Sequence, residues 1–283
     1  MNRLPPEVLS RVLEYRDCEQ DLIAATHACQ YWRSTLASSP SLWTRLWFQS
    51  SRDVDRTLTY LERSKSATID IKIVADSSEE PEALKYFTQH IPRTKSFIFH
   101  GIDAASSLAL CNPAPSLEHL EMRACSGPLR SVHGFLGRQA PLLRSANFDG
   151  TFPLFDSPFP LPNLIEFNLR LPRDAGTIRT SFLLQFLSVC PQLQKITIAI
   201  SCDVLQDVAS GQVTLLGSLV EFDYTSGSIS RLLPFLKLPR LNRLRVFLSL
   251  QEEQVVRLAD LLPCGGHAFS PKRKACPNHP IGV

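Results

Sequence analysis

The feature that most constrains this chain is a short pattern copied six times between residues 115 and 246. In order the copies read PSLEHLEM from Pro115, PLLRSANF from Pro141, PNLIEFNL from Pro162, PQLQKITI from Pro191, GSLVEFDY from Gly217 and PRLNRLRV from Pro239. Each is a turn residue, x, Leu, x, x, apolar, x, apolar, and the Leu positions 117, 143, 164, 193, 219 and 241 stand 26, 21, 29, 26 and 22 residues apart. The closing alternation has the period of a β-strand, whose successive side chains point to opposite faces. One such unit cannot bury its own apolar positions, so neighbouring copies must stack to make a continuous core. A degenerate copy, PRTKSFIF from Pro92, carries Thr94 in the Leu slot, and the alternating ATIDIKIV from Ala67 supplies a first rung.

A repeat of this length, with Leu-x-x-Leu-x-Leu opening a strand, carries the signature of leucine-rich repeats. Helices are expected between the strands over residues 81–90, 129–139, 177–189, 230–236 and 252–262. The competing reading is an ordinary α/β sheet with similar strands. The slot three residues after the last apolar position is normally Asn or Cys, which close the turn. Here only Cys125 fits, with Thr151, Pro172, Ser201, Gly227 and Ser249 elsewhere, so irregular turns are expected.

The first fifty residues have another texture. Pro5, Pro6 and Glu7 open a helix with proline in its first turn and a carboxylate near the positive end of its dipole. Val8, Leu9, Val12 and Leu13 form an apolar stripe. A second helix is expected over residues 20–37, then Ser38-Ser39-Pro40 and a short third segment with Leu42, Trp43, Leu46 and Trp47. A fourth amphipathic helix begins at Val54. The order Leu4, Pro5, Pro6, Glu7, Leu9, Leu13, Leu22, Cys29, Trp32, Arg33, Leu42, Trp43 resembles the F-box over about residues 3–48. An F-box followed by leucine-rich repeats is similar to the substrate receptors of Skp–cullin–F-box ubiquitin ligases.

The expected fold class is therefore α/β: a three-helix F-box at 1–50, a linker helix at 51–66, an irregular leucine-rich-repeat solenoid with a parallel sheet at 67–262, and an irregular tail at 263–283. The resemblance implies a Skp-type adaptor and, through it, a cullin–RING ligase as partners. Leu4, Pro5, Pro6, Glu7, Leu9, Leu13, Leu42 and Trp43 are the residues it carries over for adaptor contact, while Leu22, Cys29 and Trp32 are read as internal core. A protein substrate is expected on the polar, inner strand face, where strand alternation places His119, Glu121, Asn147, Asn168, Lys195, Asp223, Arg243 and Arg245. That face is mixed in sign and turns basic only at Arg243 and Arg245, which favours a protein or peptide over an acidic polymer. The alternative reading is a leucine-rich scaffold acting outside any ligase.

Charge and motifs narrow the remaining classes. Of 30 Lys and Arg residues, three are Lys272, Arg273 and Lys274, and without them basic and acidic counts both stand at 27. A neutral body lacks the concentrated basic face that nucleic acid requires. No apolar run approaches the roughly 18–20 residues of a membrane span. With neither a secretory leader nor a paired cysteine framework, eight scattered cysteines read as reduced thiols of the cytoplasm or nucleus. There is no nucleophile elbow, phosphate-cradling loop, zinc-protease helix or dinucleotide fingerprint, so no enzyme and no cofactor are expected. Cys264, His267, Cys276 and His279 are zinc-competent types, but their spacing matches no familiar module, and the expectation is an irregular end without metal.

Overall fold

The computed structural model describes residues 4–15, 19–74, 86–101, 110–123, 131–132, 134–150, 152, 154–155, 159–172, 178–200, 205–206, 213–226 and 232–248. The chain begins with helices α1 (Pro6–Glu14), α2 (Glu19–Ala28) and α3 (Gln30–Ala37), followed by a 3-10 turn at Pro40–Trp43 and strand β1 (Arg45–Phe48). Helix α4 (Val54–Ser64) leads to β2 (Ile69–Val74), β3 (Thr94–His100) and β4 (His119–Arg123). Beyond these lie β5 (Ser131–Val132), β6 (Ser145–Asp149), β7 (Leu154–Phe155), β8 (Glu166–Leu171) and β9 (Ile178–Arg179). The described elements end with α5 (Thr180–Ser188), β10 (Lys195–Ile200), β11 (Leu205–Gln206), β12 (Thr214–Leu215), β13 (Glu221–Ser226), β14 (Leu236–Lys237) and β15 (Arg243–Leu248).

Nine of these strands form one sheet in the order β1-β2-β3-β4-β6-β8-β10-β13-β15, and every neighbouring pair is parallel. All six pattern copies are strands in it, together with Thr94–His100 and Ile69–Val74. The short strands pair separately, β5 with β7, β9 with β11 and β12 with β14. The fold is thus mixed helix and parallel sheet, with its helical residues concentrated at the N-terminal end.

The alternation decides the sheet's two faces. Leu120, Met122, Phe148, Phe167, Leu169, Ile196, Ile198, Phe222 and Tyr224 all point inward and are at most 2% exposed. The pattern's first Leu is buried at 117, 143, 164, 193 and 219, and half-buried at Leu241 near the last described strand. Where Thr94 takes that slot it is fully buried, and its hydroxyl donates to the His90 carbonyl at 2.9 Å, so the polar group is not left unpaired. Entry to each rung is locked by backbone bonds running from copy to copy. Glu118 N donates to Lys95 O, Arg144 N to Glu118 O and Ile165 N to Arg144 O, each at 2.8 Å. The same chain continues through Gln194, Val220 and Asn242. Beneath β6 and β8, Phe152 packs edge-on against Phe148, Phe167, Phe182 and Phe186, the last two on α5.

Several expectations are corrected. The helix expected over 20–37 breaks at Cys29, whose extended backbone (φ −161°, ψ 167°) starts α3 anew while its sulfur accepts from Trp32 N at 3.5 Å. Cys29 is exposed as a cap, whereas Leu22 is core and Trp32 packs partly buried against it. The third segment of the helical unit becomes a 3-10 turn and then β1, which pairs with β2 from Arg45↔Asp70 to Phe48↔Ile73. Within 51–66 the expected helix forms as α4, which buries Tyr60 and Leu61 against the turn and β1, and Tyr60 meets the Trp43 ring edge-on at 4.9 Å. Leu9, Leu22, Leu36 and Trp43 consequently share one core cluster with the sheet. Of the helices expected between strands, α5 forms, whereas the described residues of 129–139 hold a short strand and a 3-10 turn, and those of 230–236 hold the 3-10 turn Leu233–Phe235 and the start of β14. The span 81–90 is described only from residue 86, with 86–88 helical, and 252–262 lies outside the described residues.

Candidate functional site

Two surfaces carry the residues singled out by sequence. The first is α1. Pro6 starts the helix, Leu9 N donates to Pro5 O at 3.1 Å, and Tyr31 donates to the Leu4 carbonyl at 2.6 Å, fixing the lead-in. Ser10 and Ser39 hydroxyls meet at 2.9 Å and Ser41 donates to Glu14 at 3.1 Å, tying the helix to the 3-10 turn. These anchors fix which side faces solvent. Leu9 goes inward at 2% exposure, while Leu4, Val8, Val12 and Tyr15 point out at 47, 44, 59 and 74%.

Of the residues carried over for adaptor contact, Leu4, Pro5, Pro6 and Glu7 are exposed and Leu13 is half-buried. Leu9, Leu42 and Trp43 lie inside, all three at most 2% exposed within the chain itself. Trp43 has no surface to offer, because its indole N–H donates to Leu36 O at 2.8 Å, its ring meets Tyr60, and the Arg63 guanidinium covers it at 4.4 Å. Val8, Val12 and Tyr15, outside the carried-over set, are exposed beside Leu4. Their step of four and three from Leu4 was the available signal.

The second surface is the outward face of the nine-stranded sheet. Its in-register neighbours form rows running across the strands. One passes through Asp70, Ser96, His119, Ser145, Glu166, Lys195, Glu221 and Arg243, the next through Lys72, Ile98, Glu121, Asn147, Asn168, Thr197, Asp223 and Arg245. All eight residues expected for substrate contact therefore stand on one face, in two adjacent rows. Many of their charges are already matched: Lys195 with Glu166 at 2.9 Å, Arg245 with Asp223 at 2.8 Å, Arg243 with Glu221 at 3.9 Å. Glu121 takes both His100 and Arg123 at 2.9 Å. Burial opposes its ionisation, but those partners and a hydrogen bond from Asn147 outweigh it and hold the carboxyl below its usual value. The Asn168 side-chain oxygen, midway along the second row, has no donor.

At the β1 end the face deepens into a pocket of about 750 Å³. Arg45, Trp47, Asp70, Lys72, Lys95, Ser96, Ile98 and His119 line it from the strands, and Gln20, Asp53 and Arg56 from the helical side. Reading Trp47 as helical hid this pocket, since only a strand at Arg45–Phe48 puts Arg45 and Trp47 on the face of Asp70 and Lys72. Burial pushes the Asp70 carboxyl up, and Lys95, Arg45 and His119 pull against it.

Comparison with known families bears on the first surface. The family described as F-box-like matches residues 1–49. The chain carries an F-box-like domain. No curated protein matches the sequence significantly. The match spans α1 to α3, the 3-10 turn and β1, so the F-box-like domain contributes the first strand of the sheet. Among the described residues no helix is long and apolar enough to cross a membrane. No three potential metal-binding side chains converge there either; the zinc-competent set at 264–279 lies outside them. Of the cysteines there, Cys190 is buried on Phe186 O and its thiol is pushed up to about 12 by burial, far from a reactive thiolate.

Proposed function

We propose that this chain is a non-catalytic substrate receptor of a Skp–cullin–F-box ubiquitin ligase, acting in the cytoplasm or nucleus. The observation that carries the proposal is the set Leu4, Val8, Val12 and Tyr15, left exposed along and at the ends of the first helix of an F-box-like domain. Val8 and Val12 on the helix, flanked by Leu4 before it and Tyr15 at its C-cap, form the kind of face that a partner covers. The Skp-type adaptor is that partner in this reading. Parallel strands, one per pattern copy and in chain order, support reading residues 67–262 as irregular leucine-rich repeats. Their outward face then holds a protein substrate, and the receptor works by proximity, raising the substrate's local concentration at the ligase.

The test is capture of purified adaptor by the full chain. Val8→Asp with Val12→Asp should reduce capture at least tenfold while the thermal melt stays close to wild type, because both positions are exposed. Undiminished capture by the double variant removes α1 from the interface. A wild-type chain that binds no adaptor overturns the ligase reading and leaves the scaffold outside a ligase.

A further inference from the structure

From the pocket at the β1 end of the strand face, we infer that the chain holds an acidic peptide segment there, with an apolar side chain of the peptide laid on Trp47. The inference rests on the receptor reading only in calling that peptide part of a substrate. Its first support is charge. On the outward face from β6 to β15, four carboxylates (Asp149, Glu166, Glu221, Asp223) stand against four cations (Arg170, Lys195, Arg243, Arg245), and three of these pairs are within salt-bridge distance. That half neutralises itself. The pocket is lined by Arg45, Arg56, Lys72 and Lys95 against only Asp53 and Asp70.

Asp53 is spent on Arg56 at 2.8 Å and on the Gln49 backbone N–H at 2.8 Å. Within the pocket lining Asp70 therefore faces Arg45, Lys72 and Lys95, and Glu118 adds a second carboxylate from outside it. The Arg45 side chain stands in register with Asp70 and acts on it through charge, and among the described residues it forms no salt bridge. Lys95 reaches only Glu118, at 3.8 Å. Against Asp70 and Glu118, one positive charge thus remains uncompensated inside a concave site, where low-dielectric walls concentrate its field.

The second support is the aromatic surface. Trp47 is 45% exposed although its strand neighbours Leu46 and Phe48 are core, and the Lys72 ammonium sits 4.9 Å from its ring centroid. Arg56 fixes the strand beneath by donating to the Trp47 carbonyl at 3.0 Å. An exposed tryptophan on a rigid backbone, ringed by cations, is an anchor of the sort that dominates peptide recognition. The half-buried Ile98 extends the apolar floor. A peptide that places carboxylates on Arg45 and Lys95 and an apolar side chain on Trp47 satisfies both halves of the site.

The probe is a fluorescein-labelled peptide Gly-Glu-Asp-Phe-Glu-Asp-Gly, compared with its Gln/Asn counterpart by fluorescence anisotropy on the full chain. The acidic peptide is expected to bind at least tenfold tighter and to weaken as salt is raised. Arg45→Glu and Lys72→Glu should each weaken it tenfold or more, Trp47→Ala likewise, and Arg243→Glu with Arg245→Glu should leave it unchanged. Lys72→Gln and thermal melts separate loss of charge from loss of fold. Absence of saturable binding, equal affinity for the amide peptide, or loss only in the Arg243/Arg245 variant overturns the inference. Tighter binding of a single-stranded RNA decamer with the same variant profile overturns it in favour of nucleic acid. Adaptor capture is scored separately, so failure of the ligase reading and failure of the pocket are distinguishable.

Discussion

Replacing Trp43 by alanine tests whether the F-box-like domain and the sheet are one cooperative body. The side chain is 1% exposed, edge-on to Tyr60 of α4 at 4.9 Å, beneath Arg63, and hydrogen-bonded to the Leu36 carbonyl at 2.8 Å. Truncation of a buried aromatic to alanine costs about 3–5 kcal/mol. Trp43→Phe, which keeps a ring but strands the Leu36 carbonyl, should cost about 1–3 kcal/mol, the penalty of an unpaired buried acceptor. Because Leu46 and Phe48 follow directly in β1 and pair with β2, the loss should be felt by the whole sheet. Urea unfolding followed by circular dichroism and by tryptophan fluorescence should give coincident transitions, both at a lower midpoint. Two separated transitions, with the later one at the wild-type midpoint, would refute the shared core.

Other outcomes follow from particular contacts. Phe167→Ala should cost about 3–5 kcal/mol in the same urea assay, while Glu166→Ala, which removes only an exposed pair with Lys195, should cost about 0–1 kcal/mol. Thr94→Leu, which restores the repeat's commonest residue, should nonetheless destabilise by about 1–3 kcal/mol, because a larger side chain enters a filled site and the bond to His90 O is lost. Burial, reinforced by the charge of Arg93, holds His90 below the usual 6.5. The folded state then binds fewer protons than the unfolded chain, so stability is whole above 6.5 and falls as pH drops toward the folded value. His90→Asn should flatten that acid-side decline in unfolding midpoints measured between about pH 7.5 and pH 5.

The strand phase was legible because burial on one face of a sheet leaves a period of two that nothing else in a sequence imitates over six copies. Phe167 inward and Glu166 outward follow from that period alone. The segment around Trp43 was not legible for the opposite reason. Leu42, Trp43, Leu46 and Trp47 fit a helical step, while Leu46 and Phe48 fit a strand, and only pairing with β2 selects the second. Cys29 breaks a helix without glycine or proline, using its sulfur as the cap. On α1 the apolar residues were visible, but which of them the chain keeps for itself depends on α3 and the 3-10 turn packing against one side. That is tertiary information, and it is why Leu9 is buried while Val8 and Val12 stay exposed. The pocket inherits the same blindness, since it exists only if β1 does.

Strand β1 belongs at once to the F-box-like match and to the sheet. No spacer separates the two, so in a receptor of the kind proposed the chain acts as a stiff ruler. Strands in a sheet are spaced roughly 4.8 Å apart, and the nine run in chain order from β1, the strand next to the N-terminal helices. A cargo clasped at the first rungs and one clasped at β15 would differ by roughly 38 Å in their offset from the catalytic partner, by the same spacing. Which of the cargo's lysines receives ubiquitin would then be chosen by the rung it grips, not by any slack in the receptor.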